Sequence, residues 1–138
     1  MSLDVGLYRI KYVSYDMVNF HEEKEELYSA NITHNLNVMA EQAGLYKALW
    51  RPYQLHKDYV HSENYEIEMA FKDSVTIIAS DIIDIIEEGL DLLKNRPGYF
   101  SKFDSPNGWG LYVNFVPFVE KYLNALKQYP DSIVEVWR

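Results

Sequence analysis

The side chains best suited to chemistry lie around one histidine. His34 is flanked by Thr33 and Asn35, and Asn31 precedes it by three positions. An imidazole can act as an acid or a base near neutral pH, and the free backbone amides at the start of a helix can bind an anion. We therefore interpret His34 and Asn31 as candidate ligand-binding residues. The alternative is a histidine that hydrogen bonds to its surroundings and only supports the fold.

Two tryptophan segments supply the other candidates. Arg51 follows Trp50, and a guanidinium beside an aromatic ring suits recognition of a carboxylate or a phosphate. Core packing of Trp50 and surface ion pairing of Arg51 are the simpler interpretation. Trp109 lies between two glycines and is either a ligand contact or a plug in the core, of which we favour the plug. The candidate ligand-binding residues are thus His34, Asn31, Arg51 and Trp109.

Other catalytic and metal-binding patterns are weak. Gly108 and Gly110 lack the third glycine or the lysine that would complete a nucleotide-binding motif. His56, Asp58 and His61 form the densest group of metal-ligating residues, but a spacing of five directs the two histidines to different faces of a helix or strand. No cysteine is present, which excludes disulfides and thiolate zinc sites. We predict no metal site, no cofactor and no catalytic residue.

The candidate residues require a strand that leads directly into a helix. Residues 28–32 alternate with a period of two, whereas the apolar residues of 36–50 follow helical spacing. Thr33 or Asn35 can cap the first free amides of this helix. Gly44 can interrupt it, because glycine readily adopts a left-handed conformation. The sequence therefore predicts a strand-to-helix junction at the histidine.

A hairpin should position this strand. Residues 6–15 alternate, and pairing with residues 27–33 would match their apolar faces. The polar segment between them, residues 16–25, predicts an extended hairpin loop. Residues 132–138 carry apolar side chains on both faces, which predicts a final strand that is central or covered.

Residues 65–71 also alternate clearly. Aromatic and apolar residues alternate with Glu66 and Glu68, which predicts an amphipathic strand with these carboxylates on its wet side. Residues 75–78, a β-branched run, are the predicted hairpin partner of this strand. The competing interpretation extends the next helix back to Ser74.

Two further helices complete the chain. Apolar residues at helical spacing predict a helix over residues 80–96, which Pro97 ends. In the last helix Asn114 is the predicted cap, and Pro117 lies in the first turn, where its missing amide costs nothing. The order of elements predicts an α+β fold: a small, mostly antiparallel sheet with about three helices packed on one face.

Size and charge set the limits on function. A chain of 138 residues has the size of one domain, so we expect residues 1–138 to form a single domain in which residues 1–5 are disordered or derived from a tag. The net charge of −8 argues against nucleic acid as a partner, because nucleic-acid binding depends on clustered basic residues. Without a membrane-spanning apolar run or a secretory signal, we expect a cytoplasmic protein with no membrane contact.

Three strings carry a resemblance to a known family: NITHN at residues 31–35, LWRP at residues 49–52 and NGWG at residues 107–110. With the segments around them, they resemble small conserved hypothetical proteins encoded by tailed bacteriophages and by prophages in bacterial genomes. Residues 53–78 depart from the pattern of that family. The resemblance implies a phage or prophage origin and a bacterial host cytoplasm. It implies no activity and no catalytic residue.

Two classes of function fit the sequence. The first is a non-catalytic protein-interaction module that binds a host or phage protein, which the acidic surface and the aromatic residues favour. The second is a small ligand-binding protein or enzyme with a site around His34, Asn31, Arg51 and Trp109. We favour the first, and a pocket that holds three of these four side chains would favour the second. We also expect a symmetric homodimer, because a strand at residues 65–71 would expose a sheet edge.

Overall fold

A three-stranded antiparallel sheet organises the chain. The structure is a computed structural model that describes residues 2–138. Its strands are β1 (Ser2–Val13), β2 (His21–Thr33) and β3 (Ile133–Trp137), in the order β2-β1-β3. Both outer strands run antiparallel to β1. The α+β fold class and the pairing of the first two strands are confirmed.

Six α-helices lie between β2 and β3 in the part of the chain that the structure describes. The two longest, α4 and α6, pack against each other, and the predicted helix over residues 80–96 corresponds to α4. None of the helices within residues 2–138 is both long and apolar enough to cross a membrane. The helices are α1 (Asn37–Gln42), α2 (Tyr46–Trp50), α3 (Tyr65–Ser74), α4 (Ile83–Asn95), α5 (Pro97–Phe100) and α6 (Tyr112–Gln128).

The strand-to-helix junction predicted at the histidine is present. β2 ends at Thr33, residues 34–36 form one turn of 3-10 helix, and α1 follows. The Thr33 hydroxyl accepts a hydrogen bond from the backbone N–H of Asn35 at 3.4 Å. Gly44 has a φ of +73° and separates α1 from α2. The predicted cap and the predicted glycine break are therefore both found.

The hairpin is longer and its loop shorter than predicted. β2 begins at His21, so the connection covers residues 14–20 instead of 16–25. The polar residues predicted a loop. They form a strand instead, because this end of the hairpin, next to its turn, lies outside the buried core, where both faces of a strand can be polar. The expected disorder at residues 1–5 is wrong for residues 2–5, because β1 begins at Ser2 and both Leu3 and Val5 are fully buried. Met1 lies outside the described residues.

A β-bulge divides the hairpin into two parts. Leu3, Val5 and Leu7 pack into the core, but the register with β2 shifts between Leu7 and Tyr8. Beyond the bulge no side chain of residues 8–26 belongs to the core. We call residues 8–26 the arm. An extra residue at a bulge bends and twists a strand pair, so the bulge lies where the arm leaves the domain.

The strand predicted at residues 65–71 is wrong, because this segment forms α3. The Asn64 side chain accepts hydrogen bonds from the backbone N–H groups of Glu66 and Ile67, at 2.9 and 3.3 Å. These bonds satisfy free amides at the helix start, and Glu66 and Glu68 lie at the positive end of its dipole. The two carboxylates do not share a wet face, since Glu68 is buried and Glu66 is exposed.

Residues 75–78 therefore cannot be the hairpin partner of a strand at α3. They run extended along β3 instead: Ile78 bridges Ile133, and the N–H of Val134 donates to the carbonyl of Ile77 at 2.8 Å. β3 is an edge strand whose outer side is partly covered by this segment. Of the two predicted alternatives, a central or a covered strand, the central one is wrong, because β1 takes that position.

α6 starts earlier than predicted. It begins at Tyr112, whose N–H donates to the carboxylate of Asp104 at 2.7 Å, so Asn114 is not its cap. Pro117 consequently lies inside the helix, where a proline removes one backbone hydrogen bond. Burial of a long apolar face offsets this cost. The buried residues of α6 are Phe115, Phe118, Val119, Tyr122, Leu123, Ala125 and Leu126.

Candidate functional site

An open cleft lies where β1 begins, β2 ends and the loop before α6 passes. Its volume is about 680 Å³. We call it the amide cleft, because three of its residues are asparagines. Its lining consists of Ser2, Asn31, Thr33, His34, Asn35, Asn37 and Trp109.

Three of the four candidate ligand-binding residues lie in the amide cleft. His34, Asn31 and Trp109 all line it, although Trp109 is far from the other two in sequence. Arg51 lies elsewhere. Its Nε donates to the hydroxyl of Tyr46 at 3.1 Å and its Nη1 to the hydroxyl of Tyr53 at 3.3 Å. The structure thus joins three of the predicted residues and separates the fourth.

His34 is held by the neighbouring tryptophan. The indole N–H of Trp50 donates a hydrogen bond to Nδ1 of His34 at 2.9 Å. Because an indole nitrogen only donates, Nδ1 must be the unprotonated nitrogen and Nε2 carries the proton. Burial lowers the pKa of His34 below its usual value, so the ring is neutral at pH 7. Nε2 is buried and has no hydrogen-bond partner within residues 2–138.

Asn31 is oriented from the adjacent strand. Asp4 lies directly opposite it in the sheet and accepts a hydrogen bond from its side-chain amide at 2.7 Å. A carboxylate only accepts, so this bond fixes which end of the Asn31 side chain is the NH₂ group. The side-chain oxygen of Asn31 is left as an acceptor for a ligand.

A tight approach of two loops places Trp109 beside the asparagines. Gly110 has a φ of +115°, and a Cβ built there would lie 2.9 Å from Cβ of Asn35. Only glycine fits both the space and the backbone conformation. The N–H of Trp109 donates to the side chain of Asn107 at 2.9 Å, which holds the turn. Trp109 is 69% exposed, so the prediction that it plugs the core is wrong.

Among residues 2–138, the side chains that line the amide cleft carry no formal charge at neutral pH, although Arg138 lies close enough for its charge to help lower the pKa of His34. The lining side chains are hydroxyls, amides, one indole and the neutral His34. Asp4 is adjacent, but its carboxylate is bonded to Asn31. Such a lining offers hydrogen bonds and one aromatic face, without the cations that recognise phosphates or carboxylates.

The histidines of the segment before α3 form no metal site. Residues 2–138 contain no group of three His, Cys, Asp or Glu side chains placed to hold a metal ion. His56 lies 3.8 Å from Asp58, whereas His61 approaches Glu68 at 3.6 Å. Glu68 accepts hydrogen bonds at 2.8 Å from both the Tyr59 hydroxyl and the Ser62 N–H. This cluster fastens the irregular segment to α3.

Sequence reasoning missed part of the cleft lining. It gave Thr33 and Asn35 only a capping role, and it did not select Asn37 or Ser2. A usable signal was present, because three asparagines occur within the seven residues 31–37. Asparagine is rare in helix interiors and common in turns and binding sites.

Comparisons of the chain with protein-family models, curated proteins and solved structures found no match. The fold and the site define an α+β protein with an open, uncharged polar cleft. We therefore infer its function from the geometry of the amide cleft.

Proposed function

We propose that the protein binds a small ligand in the amide cleft. One observation carries this proposal: Trp109, which is distant in sequence, lines one cleft together with the neighbouring candidates His34 and Asn31. Three of four candidates in one pocket is the condition under which we prefer ligand binding to protein interaction. Concave sites with a few oriented polar groups are the usual form of a small-molecule site.

The geometry favours binding over catalysis. A general acid or base must come within hydrogen-bond reach of the ligand. Nδ1 of His34 is occupied by Trp50, and Nε2 is covered. Among the lining side chains no carboxylate could take over a proton-transfer role. We therefore assign His34 to positioning the junction, and we assign ligand contacts to Asn31 and Trp109.

The origin and location of the protein are part of the proposal. We propose a phage or prophage protein that works in the cytoplasm of a bacterial host. Two of the strings that carry the resemblance, at residues 31–35 and 107–110, meet at the amide cleft. The third, at residues 49–52, contributes Trp50, which bonds His34. A shared ligand site would explain why these strings look alike in such proteins.

A panel of small molecules tests the ligand-binding proposal. A ligand that binds only the folded protein raises its melting temperature, and at 100 times Kd the stabilisation is about 2.7 kcal/mol. Sugars, nucleosides, amino acids and carboxylic acids should therefore be screened by thermal shift. We expect one class to stabilise the native protein but not Trp109→Ala or Asn31→Ala. Tyr65→Ala, an exposed aromatic residue on α3, is the matched control. Stabilisation that survives both cleft variants would contradict the proposal.

A second candidate function is protein interaction through the arm. Its tip is an ordered turn: the Asp16 carboxylate accepts from the N–H groups of Asn19 and Val18, at 2.8 and 2.9 Å, which lowers the pKa of Asp16 to about 2. Exposed apolar side chains surround this turn, and such patches mark interaction sites. They are Ile10, Tyr12, Tyr15, Met17, Val18 and Phe20.

The proposed partner of the arm is a host or phage protein with an apolar groove and basic edges. Glu22 and Glu23 lie near the apolar tip, opposite Tyr12 and Lys11, and supply the complementary charge. Affinity capture with the native protein should retain such a partner, and the double variant Met17→Glu with Phe20→Glu should lose it. Equal retention by both proteins would remove the arm from consideration.

A further inference from the structure

We propose that the ligand of the amide cleft is a neutral saccharide, with a pyranose ring stacked on Trp109 and its hydroxyls bonded to the asparagine side chains. This inference rests on the proposed ligand-binding function and specifies the class of ligand. Three features of the cleft carry it: the exposed indole, the amides and the absence of charge in the lining.

The indole of Trp109 provides a flat platform. Its side chain is 69% exposed although the turn that holds it is ordered by hydrogen bonds. The face of an aromatic ring is electron-rich, so it attracts the weakly positive C–H groups on one face of a pyranose. An ordered, exposed tryptophan in a polar cleft thus matches a ligand that has one apolar face and a polar rim.

The amides match hydroxyl groups. Each asparagine side chain both donates and accepts, as each sugar hydroxyl does. The Asn31 side-chain oxygen is held as an acceptor by the bond to Asp4. No hydrogen bond within residues 2–138 occupies the side-chain amides of Asn35 and Asn37, which remain available to a ligand. Several such groups around one cleft can bond several hydroxyls of one ring.

The lack of charged side chains in the described lining disfavours phosphates and carboxylates as ligands. Phosphates and carboxylates favour arginine or lysine. No arginine or lysine among residues 2–138 lines the cleft, Arg51 is bonded to two tyrosines, and Arg138 acts on His34 only through its charge, without a hydrogen bond. A nucleobase would leave its second face uncovered, because Trp109 is the one aromatic ring besides His34 in the lining. The cleft volume of about 680 Å³ lies within the range of small-molecule sites and admits a mono- or disaccharide.

Titration of ¹⁵N-labelled protein tests the saccharide class directly. The probes are glucose, galactose, mannose, N-acetylglucosamine and their disaccharides, with ribonucleosides and inorganic phosphate as comparison ligands. We expect one saccharide to shift the indole signal of Trp109 and the amide signals of Asn31, Asn35 and Asn37. For a single hexose, Kd should be on the order of 1 mM.

Variants separate specific binding from surface effects. Trp109→Ala should weaken saccharide binding at least tenfold, and Trp109→Phe should retain part of it because a smaller ring can still stack. Trp137→Ala, a half-exposed tryptophan on β3, should bind as the native protein does. The ¹H–¹⁵N correlation spectrum of each variant, recorded without ligand, shows whether the variant is folded.

The possible failures of the two proposals are distinguishable. If nucleosides or phosphate shift the cleft signals and no saccharide does, the saccharide class is wrong while ligand binding in the cleft stands. If no probe in either this titration or the wider thermal-shift panel acts through the cleft, both proposals are overturned. Saccharide binding that is equal in the native protein and Trp109→Ala also overturns the saccharide proposal.

Discussion

At the scale of single residues, a hydrogen bond between Trp50 and His34 connects the core to the lining of the amide cleft. Trp50 is 3% exposed, yet its indole N–H extends to Nδ1 of His34. The hydrogen bond fixes the ring and the position of its proton. A buried tryptophan thereby sets the orientation of a residue in the lining. His34 is thus a structural histidine in the lining of the amide cleft.

The lowered pKa of His34 makes stability depend on pH. Because burial favours the neutral ring, the unfolded chain takes up a proton at a higher pH than the folded protein does. As the pH falls from 7 through about 6.5, the usual histidine pKa, the folded state should therefore lose stability. Melting temperatures between pH 5 and 8 should fall more steeply for the native protein than for His34→Gln. Parallel curves would show that His34 titrates normally.

For the candidate ligand-binding residues, the residue types indicate which chemistry the side chains can perform, but they do not indicate which side chains are exposed. His34, Asn31 and Trp109 were selected because of what their side chains can do, and the cleft contains them. Arg51 was selected on the same grounds, but it lies beside two tyrosines that are near in sequence and carry no charge. The exposure of Trp109 depends on the close approach of Gly110 to Asn35. These residues are far apart in sequence, so a local sequence pattern does not predict their contact.

At the scale of elements, the long apolar faces of α4 and α6 were predictable, whereas the short alternation at residues 65–71 was misleading. α4 and α6 bury continuous stripes, so their periodicity survives in the sequence. Residues 65–71 alternate over only seven positions, which a helix start also permits. The cap at Asn64 decides between the two, because it satisfies two amides of a helix. The hairpin loop is shorter than its polar sequence predicts, because polar residues also form strands outside the core.

The packing of α6 can be tested at one leucine. Leu123→Ala leaves a cavity in the core and should cost about 2–5 kcal/mol of unfolding free energy. Leu123 is 6% exposed and belongs to the core cluster. Leu92→Ala on α4 is the matched control, since Leu92 is 44% exposed. Urea unfolding should show a large loss for the first variant and a small one for the second. Equal losses would place Leu123 outside the core.

The attachment of α3 depends on Glu68. Its carboxylate accepts hydrogen bonds from Tyr59, Ser62 and Tyr53, and the bond from the Ser62 N–H does most to lower its pKa. Glu68→Gln should lower the melting temperature, because an amide replaces one acceptor with a donor. The same helix supplies the control Glu66→Gln, an exposed carboxylate, which should leave the melting temperature unchanged. Two equal shifts would rule out the cluster as an anchor.

At the scale of the molecule, the sheet edges bear on self-association. The reason for expecting a homodimer, an edge strand at residues 65–71, disappears because that segment is α3. The outer edge of β2 is the longer edge of the sheet, and it carries Glu22, Glu23, Glu25 and Glu26. Charges on an edge strand oppose pairing with another chain. A homodimer would therefore form through the apolar tip of the arm.

Light scattering tests self-association through the arm. A homodimer would have about twice the monomer mass of 16.3 kDa at micromolar concentration. The double variant Met17→Glu with Phe20→Glu should return the monomer mass, because it places charges in the apolar tip. Ile67→Lys, an exposed position on α3, should have no effect. A monomer mass for the native protein at every concentration would refute the homodimer.

A crystal structure with the best-binding saccharide would show whether the amide cleft is the ligand site. We expect electron density for a sugar ring stacked on Trp109, with a hydroxyl within hydrogen-bond distance of the side-chain oxygen of Asn31. An empty cleft at a sugar concentration well above the measured Kd, or a sugar bound only at another surface, would contradict this expectation.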